Sequence, residues 1–183
     1  MTDALLLSQS LPVATPTFDA VYDQEFPYVW TTLRRLGVPE RDVEDVAHDM
    51  FVIVHQRLAD FDATRPVRPW LFGIAFRVAS DRRRKASVQR ESLDVQLLEP
   101  SVPAEAERGL VENERRAFVR RALECVELDR RAVLVLHEID GVPIPRVAES
   151  LGIPLNTAYS RLRLAREEFR AAVKRLSLRE DAQ

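Results

Sequence analysis

"PRVAESLGIPLNTAYSRLRLAREEF", residues 145–169, is the stretch from which the rest of the chain can be read. A short amphipathic run starting near Pro145 stops at Gly152, a residue type that readily takes the left-handed conformation closing a helix. A second run follows Pro154 and keeps a helical period to about Leu176. A short helix, a glycine turn and a longer basic helix have the proportions of a helix-turn-helix. On the wheel of the longer helix, Ala158, Leu162, Ala165, Phe169, Val173 and Leu176 gather on one side. Tyr159, Ser160, Arg163 and Glu167 project opposite, and Arg161 and Arg166 sit on the flanks.

That wheel suits a helix lying in a DNA major groove. Outward residues near its N-terminus meet base edges, while flanking cations reach phosphates. Arg163 can donate to guanine O6 and N7, Ser160 can donate or accept, and Tyr159 projects beside them. Thr157, Arg161 and Arg166 stand where phosphates would pass. A solvated amphipathic helix would carry the same arginines, but the "VAESLG" turn ahead of it favours DNA reading.

Upstream, glycine is scarce, with 5 residues in 183, and helical periodicity continues. "DRRAVLVLHEID" reads as a helix ending near Gly141. Residues 18–36 read as helix with Pro27 marking a break or a fresh start, and Pro39 opens a helix with Glu40 and Asp42 in its first turn. Its core stripe is Val43, Val46, Ala47, Met50, Val54 and Leu58. After the loop "DFDATRPVR", the run "PWLFGIAFRVASDRRRKA" is helical again, with Leu71, Ile74, Ala75 and Val78 as its core face. The expected fold is all-α: two small helical domains joined by a flexible linker, the C-terminal one a helix-turn-helix. The expected boundaries are a tail over 1–17, a first domain over 18–86, a linker over 87–107 and a second domain over 108–178.

The net charge of −2 conceals alternating blocks. Residues 1–61 are acidic, 62–90 strongly basic, 91–128 acidic and 129–183 mildly basic. Such alternation fits one polyanionic partner touched twice and another partner for the acidic surface. The single cysteine, Cys125, excludes an internal disulfide and reads as a buried thiol. Asp3 stands where a signal peptide carries a cation, and no run reaches membrane-spanning length, so a cytoplasmic protein without membrane insertion is expected.

"EDVAHDMFVIVH", residues 44–55, first suggests a metal site. His48 and His55 are seven residues apart, about 10.5 Å of helical rise, and cannot share an ion. A two-histidine helical zinc site needs i, i+4 spacing, and Val52 occupies that place. No metal or other cofactor is expected. Asp45, His48, Asp49, Val52, His55 and Gln56 instead form one outward face. No glycine-rich phosphate loop or nucleophile motif points to an enzyme.

The stretch 145–169 resembles region 4 of sigma-70-type transcription initiation factors, differing from the usual pattern at Asn156, Ala158, Tyr159 and Leu164. "DVEDVAHDMFVIVHQRLADFD" and "RPVRPWLFGIAFRVASDRRRK" resemble region 2 of the extracytoplasmic-function group, which keeps regions 2 and 4 only. The resemblance implies a factor that binds core RNA polymerase and directs it to promoter DNA. In that family the helix bearing Asp45, His48, Asp49, Val52 and Gln56 docks on the clamp helices of the largest polymerase subunit. The loop Asp62–Arg68 and the following helix hold unstacked minus 10 bases, which places Arg65, Arg68, Trp70 and Arg77 there. Arg82, Arg83, Arg84 and Lys85 fit phosphate contacts. Region 4 reads minus 35 through Tyr159, Ser160 and Arg163, and the resemblance adds an anti-sigma factor as a partner. The rival reading is a free-standing helix-turn-helix regulator with a sensory N-terminal domain.

Overall fold

The computed structural model describes residues 15–93 and 110–180. Seven α-helices run along the described chain, and no strand occurs among the described residues. Helix α1 (Phe18–Arg35) begins where the Thr17 hydroxyl accepts a hydrogen bond from the Ala20 amide at 3.3 Å. Pro27 lies inside this helix, which runs through it unbroken, correcting the expected break. The partners α1 finds on α2 and α3 outweigh the single backbone bond that a proline removes.

Leu36, Gly37 and Val38 turn the chain into α2 (Glu40–Arg57), and the Val38 amide closes back on Leu33 O at 3.0 Å. Val43, Val46, Ala47, Met50, Val54 and Leu58 are all buried as their spacing predicts, and Phe51 joins them from the edge of the stripe. A 3-10 turn (Leu58–Asp60) and a loop lead to α3 (Val67–Leu93). Leu71, Phe72, Ile74 and Ala75 of α3 are buried, whereas Val78 is only half-buried. This helix extends past Ala86, so the first part of the expected linker is helical; residues 94–107 of that linker lie outside the described residues.

Helices α4 (Leu110–Glu124), α5 (Leu128–Leu134), α6 (Ile144–Leu151) and α7 (Leu155–Glu180) form the second module. Helix α5 continues as a π-helical turn over Val135–Ile139, where the Asp140 amide reaches Val135 O at 3.1 Å. Gly152, with φ +66°, closes α6 by donating to Ala148 O and Glu149 O. Ala158, Leu162, Ala165 and Ala172 of α7 are buried, while Phe169, Val173 and Leu176 are half-buried. Cys125 corrects a sequence expectation: it follows the end of α4 and is exposed, its thiol donating to Arg121 O at 3.4 Å.

The two modules share one continuous buried cluster instead of separate cores. Helix α3 packs on α6, and α1 on α4. Arg131 of α5, 4% exposed, donates through Nη2 to Glu124 O and Val126 O at 2.9 Å each. Gly37, with φ +90°, lies beneath its guanidinium, and a Cβ there would collide with Arg131 Nη1. Gly37→Ala therefore combines a disfavoured backbone conformation with displacement of a buried cation. It is expected to lower the unfolding free energy by about 2–3 kcal/mol in urea denaturation. A change below about 0.5 kcal/mol would show that the contact carries no strain.

Candidate nucleic-acid and polymerase interfaces

Helix α7 presents the first surface. Its inward alanines let it sit close on α5, leaving Tyr159 53% exposed, with Ser160 and Arg163 also exposed beside it. The Ser160 hydroxyl donates to Asn156 O at 2.9 Å, so within the free chain its oxygen is available as an acceptor. Arg163 pairs with Glu167 at 2.8 Å, one turn further along the outward face. Half-buried Arg161 pairs with Asp129 of α5, and Arg166 Nε with Glu138 of the π turn at 2.8 Å. Thr157 is half-buried and lines a concavity with Asn156, Ser160 and Arg161. Exposed Tyr159, Ser160 and Arg163 thus share one end of one helix with Thr157, Arg161 and Arg166, and carboxylates hold the three arginines.

The second surface is the loop and α3. Asp62 organises the loop: Oδ1 accepts from the Thr64 amide at 3.0 Å and from its hydroxyl at 2.6 Å. These hydrogen bonds, with Arg65 adding a smaller attraction, hold the Asp62 carboxyl below the ordinary aspartate range. Arg65 bonds both Asp62, at 3.1 Å, and Glu149 of α6. Arg65, Trp70 and Arg77 line one groove, with the Trp70 ring 4.9 Å from Phe61. Arg68 turns to a neighbouring groove, pairing with Glu25 at 2.8 Å and lying 5.1 Å over the Tyr28 ring. Of the basic run beyond, Arg82 pairs with Asp42 at 3.2 Å and Arg84 with Asp81 at 3.1 Å, while Arg83 and Lys85 are exposed. Phe72 is fully buried and Phe76 packs against the core, so neither faces this groove as an open ring.

The third surface is the outward face of α2. Asp45, His48, Asp49, Val52 and Gln56 are all exposed, with Val52 at 45%. The His55 ring packs edge-on to Phe18 at 5.1 Å. It belongs to an aromatic ladder that the sequence reading missed: Phe18, Tyr22, Phe26 and Trp30 recur every four residues along α1, and Phe51 stacks on Phe26. The i, i+4 repeat was visible, yet nothing in the sequence distinguishes a surface ladder from a core stripe. Among the described residues no group of three or more His, Cys, Asp and Glu is placed to hold a metal ion.

Also missed was the polar bond between the modules. The Tyr28 hydroxyl donates to Asp140 Oδ2 at 2.7 Å, and Arg35 reaches Oδ1 at 3.3 Å. Burial, followed by the hydrogen bond to Asp140, pushes the Tyr28 phenol well above its ordinary value, so it remains a donor at any working pH. Burial also raises the Asp140 carboxyl, opposed by Tyr28 and Arg35. No local pattern could announce a pair so far apart in the chain.

Helices throughout the described residues, a helix-turn-helix, a groove lined by arginines and a separate exposed face bearing Asp45 and Asp49 are the features of a DNA-binding transcription protein of two modules. Models of sigma-70 region 2 and sigma-70 region 4 match residues 21–88 and 116–169. RNA polymerase sigma factor CnrH of Cupriavidus metallidurans is 33% identical over 146 residues, covering 75% of this chain and 76% of that protein. The structure of CnrH in complex with the cytosolic domain of CnrY superposes with a TM-score of 0.60 at 28% identity, covering 86% of this chain and 87% of that one. Sigma factor RpoE in complex with the anti-sigma factor NepR, from Bartonella quintana, shares the fold at a TM-score of 0.67 and 22% identity, covering 84% and 96%. The chain belongs to the sigma-70 family of RNA polymerase sigma factors, in its extracytoplasmic-function group. It is a transcription initiation factor whose partners are core RNA polymerase and promoter DNA.

The Asp62 turn offers a direct check on the loop. Thr64→Val removes the hydroxyl donor that favours the ionised carboxylate, so an NMR titration should place the Asp62 carboxyl closer to the ordinary aspartate value. Because the folded value is depressed, the stability it supplies is present above the ordinary aspartate range and fades as pH falls through the depressed one. A carboxyl that titrates identically in both chains would show that this turn is not formed.

Proposed function

We propose that the α2 face, the α3 groove and the α7 N-terminus divide initiation among them. Asp45, His48, Asp49, Val52 and Gln56 dock on the clamp helices of the largest polymerase subunit, where an acidic rim around an exposed Val52 suits a basic partner. Arg65, Arg68, Trp70 and Arg77 take the opened minus 10 strand, with Arg82, Arg83, Arg84 and Lys85 on phosphates. Tyr159, Ser160 and Arg163 read minus 35 bases, with Thr157, Arg161 and Arg166 on its backbone. The observation that carries this reading is the segregation on α7, where buried Ala158, Leu162 and Ala165 turn Tyr159, Ser160 and Arg163 outward together.

The protein contributes binding and strand opening, without catalysis of its own. Among the described residues no helix is long and apolar enough to cross a membrane, and the proposed site of action is the cytoplasm. Because the similar RpoE was solved with an anti-sigma factor, regulation of this chain by a protein of that kind belongs to the same reading.

Transcription from a library of promoter fragments by core polymerase plus purified protein tests the whole assignment; no polymerase binding and no initiation would sink it. Asp45→Arg with Asp49→Arg should abolish polymerase binding at an unchanged melting temperature, since both side chains are exposed. Retained binding would move the dock elsewhere. Arg163→Ala should weaken minus 35 use by about 1–3 kcal/mol and relax preference at one base position. Equal weakening on every sequence would reassign Arg163 to phosphate.

A further inference from the structure

Most of the polar side chains at the DNA-facing end of α7 are already engaged within the chain. Arg163 is paired with Glu167, Arg161 with Asp129 and Arg166 with Glu138. The Ser160 hydroxyl donates to Asn156 O. Asn156 itself stands in the first turn of α7, exposed, and its side-chain amide bonds to no group among the described residues. It borders the concavity that Thr157, Ser160 and Arg161 also line. Tyr159, three residues further on, is 53% exposed, and Leu155, one turn before Tyr159, is 43% exposed. An uncommitted carboxamide therefore lies beside a strip of exposed carbon.

We propose that Asn156 and Tyr159 together specify an A·T pair within the minus 35 element. The proposal rests on the reading of α7 given above and adds Asn156 to it. A carboxamide offers one donor and one acceptor side by side. Among single bases only adenine answers both in the major groove, with N6 as donor next to N7 as acceptor. Guanine presents two acceptors at the same place and would leave the Asn156 carbonyl oxygen facing one of them. The thymine opposite carries a C5-methyl group, for which the exposed Tyr159 ring supplies apolar contact that cytosine cannot match. The two contacts agree in space, since Asn156 and Tyr159 are i, i+3 neighbours on α7. Arg163 must leave Glu167 to reach a base, whereas Asn156 meets DNA without breaking a bond. Seven residues separate Asn156 from Arg163, about 10.5 Å of helix rise, so at about 3.4 Å per base step they reach pairs about three steps apart. Asn156 and Tyr159 are also two of the positions at which this chain departs from the region 4 pattern, so the preference belongs to its own promoters.

The test uses holoenzyme assembled from core polymerase and the full chain, on promoter duplexes randomised through the minus 35 element, with the selected sequences read by sequencing. The unaltered factor should enrich one position as A·T, about three steps from the position that Arg163→Ala relaxes. Asn156→Ala, an exposed change that favours helix, should relax the A·T position alone, by about fivefold or more. On one selected duplex, 7-deazaadenine in place of that adenine should weaken binding of the unaltered factor and leave Asn156→Ala unmoved. Uracil in place of the paired thymine should weaken binding of the unaltered factor and leave Tyr159→Ala unmoved. Equal weakening on every sequence by Asn156→Ala, or a full response of that variant to 7-deazaadenine, overturns the proposal. Indifference of the unaltered factor to uracil overturns the Tyr159 contact. If Arg163→Ala relaxes a position and Asn156→Ala relaxes none, the proposal alone fails; if neither relaxes any, the minus 35 reading of α7 fails with it.

Discussion

The buried guanidinium of Arg131 is the constraint to which both modules answer. A cation taken from water must find directional partners, and Arg131 finds them in the carbonyls of Glu124 and Val126 at the C-terminal end of α4. That end carries the negative pole of the helix dipole, so the placement is favourable beyond the hydrogen bonds themselves. Burial, with a smaller repulsion from Arg83, pulls Arg131 down to about 10, which leaves it charged at neutral pH. One side chain thereby sets the angle between α4 and α5 and requires a bare glycine at the α1–α2 turn. A hydrophobic replacement could fill the volume, but it would leave the α4 carbonyls unsatisfied and the seam without its fixed point.

Around that core the surface cations are mostly paired rather than bare. Arg65, Arg68, Arg82, Arg84, Arg161, Arg163 and Arg166 each hold a carboxylate, on Glu149, Glu25, Asp42, Asp81, Asp129, Glu167 and Glu138 respectively. Exposed pairs of this kind contribute about 0–1 kcal/mol each, so exchanging a carboxylate for a phosphate costs little. What the exchange gains is counterion release from DNA, which grows with the number of phosphates neutralised. The arrangement reconciles a net charge of −2 with a chain that binds DNA twice. It also reduces the bare positive field that would hold the free factor on non-specific sequence.

Legibility from sequence followed the range of the interactions concerned. The stripes of α2 and α7 were readable because burial there repeats with the helix period: the α2 stripe is buried throughout, and the α7 stripe is buried at Ala158, Leu162 and Ala165 and half-buried at Phe169, Val173 and Leu176. Gly152 was readable because a left-handed helix end is a local demand. Pro27 misled because tertiary contacts override a local breaker, and Cys125 because an apolar neighbourhood in sequence became a helix end in space. Arg131 and Gly37, like Tyr28 and Asp140, are joined across the chain, and neither member of either pair has a distinguishing local pattern. The resemblance to region 2 and region 4 supplied roles for exposed residues, but it was silent on how the two modules meet.

That meeting joins two kinds of contact. The module seam combines a continuous apolar cluster near Arg131 with a polar edge at Tyr28, Asp140, Arg65 and Glu149, of which the Arg65–Glu149 pair lies at the groove that Trp70 and Arg77 line. A polar edge weakens with salt and with competing anions, whereas an apolar contact does neither.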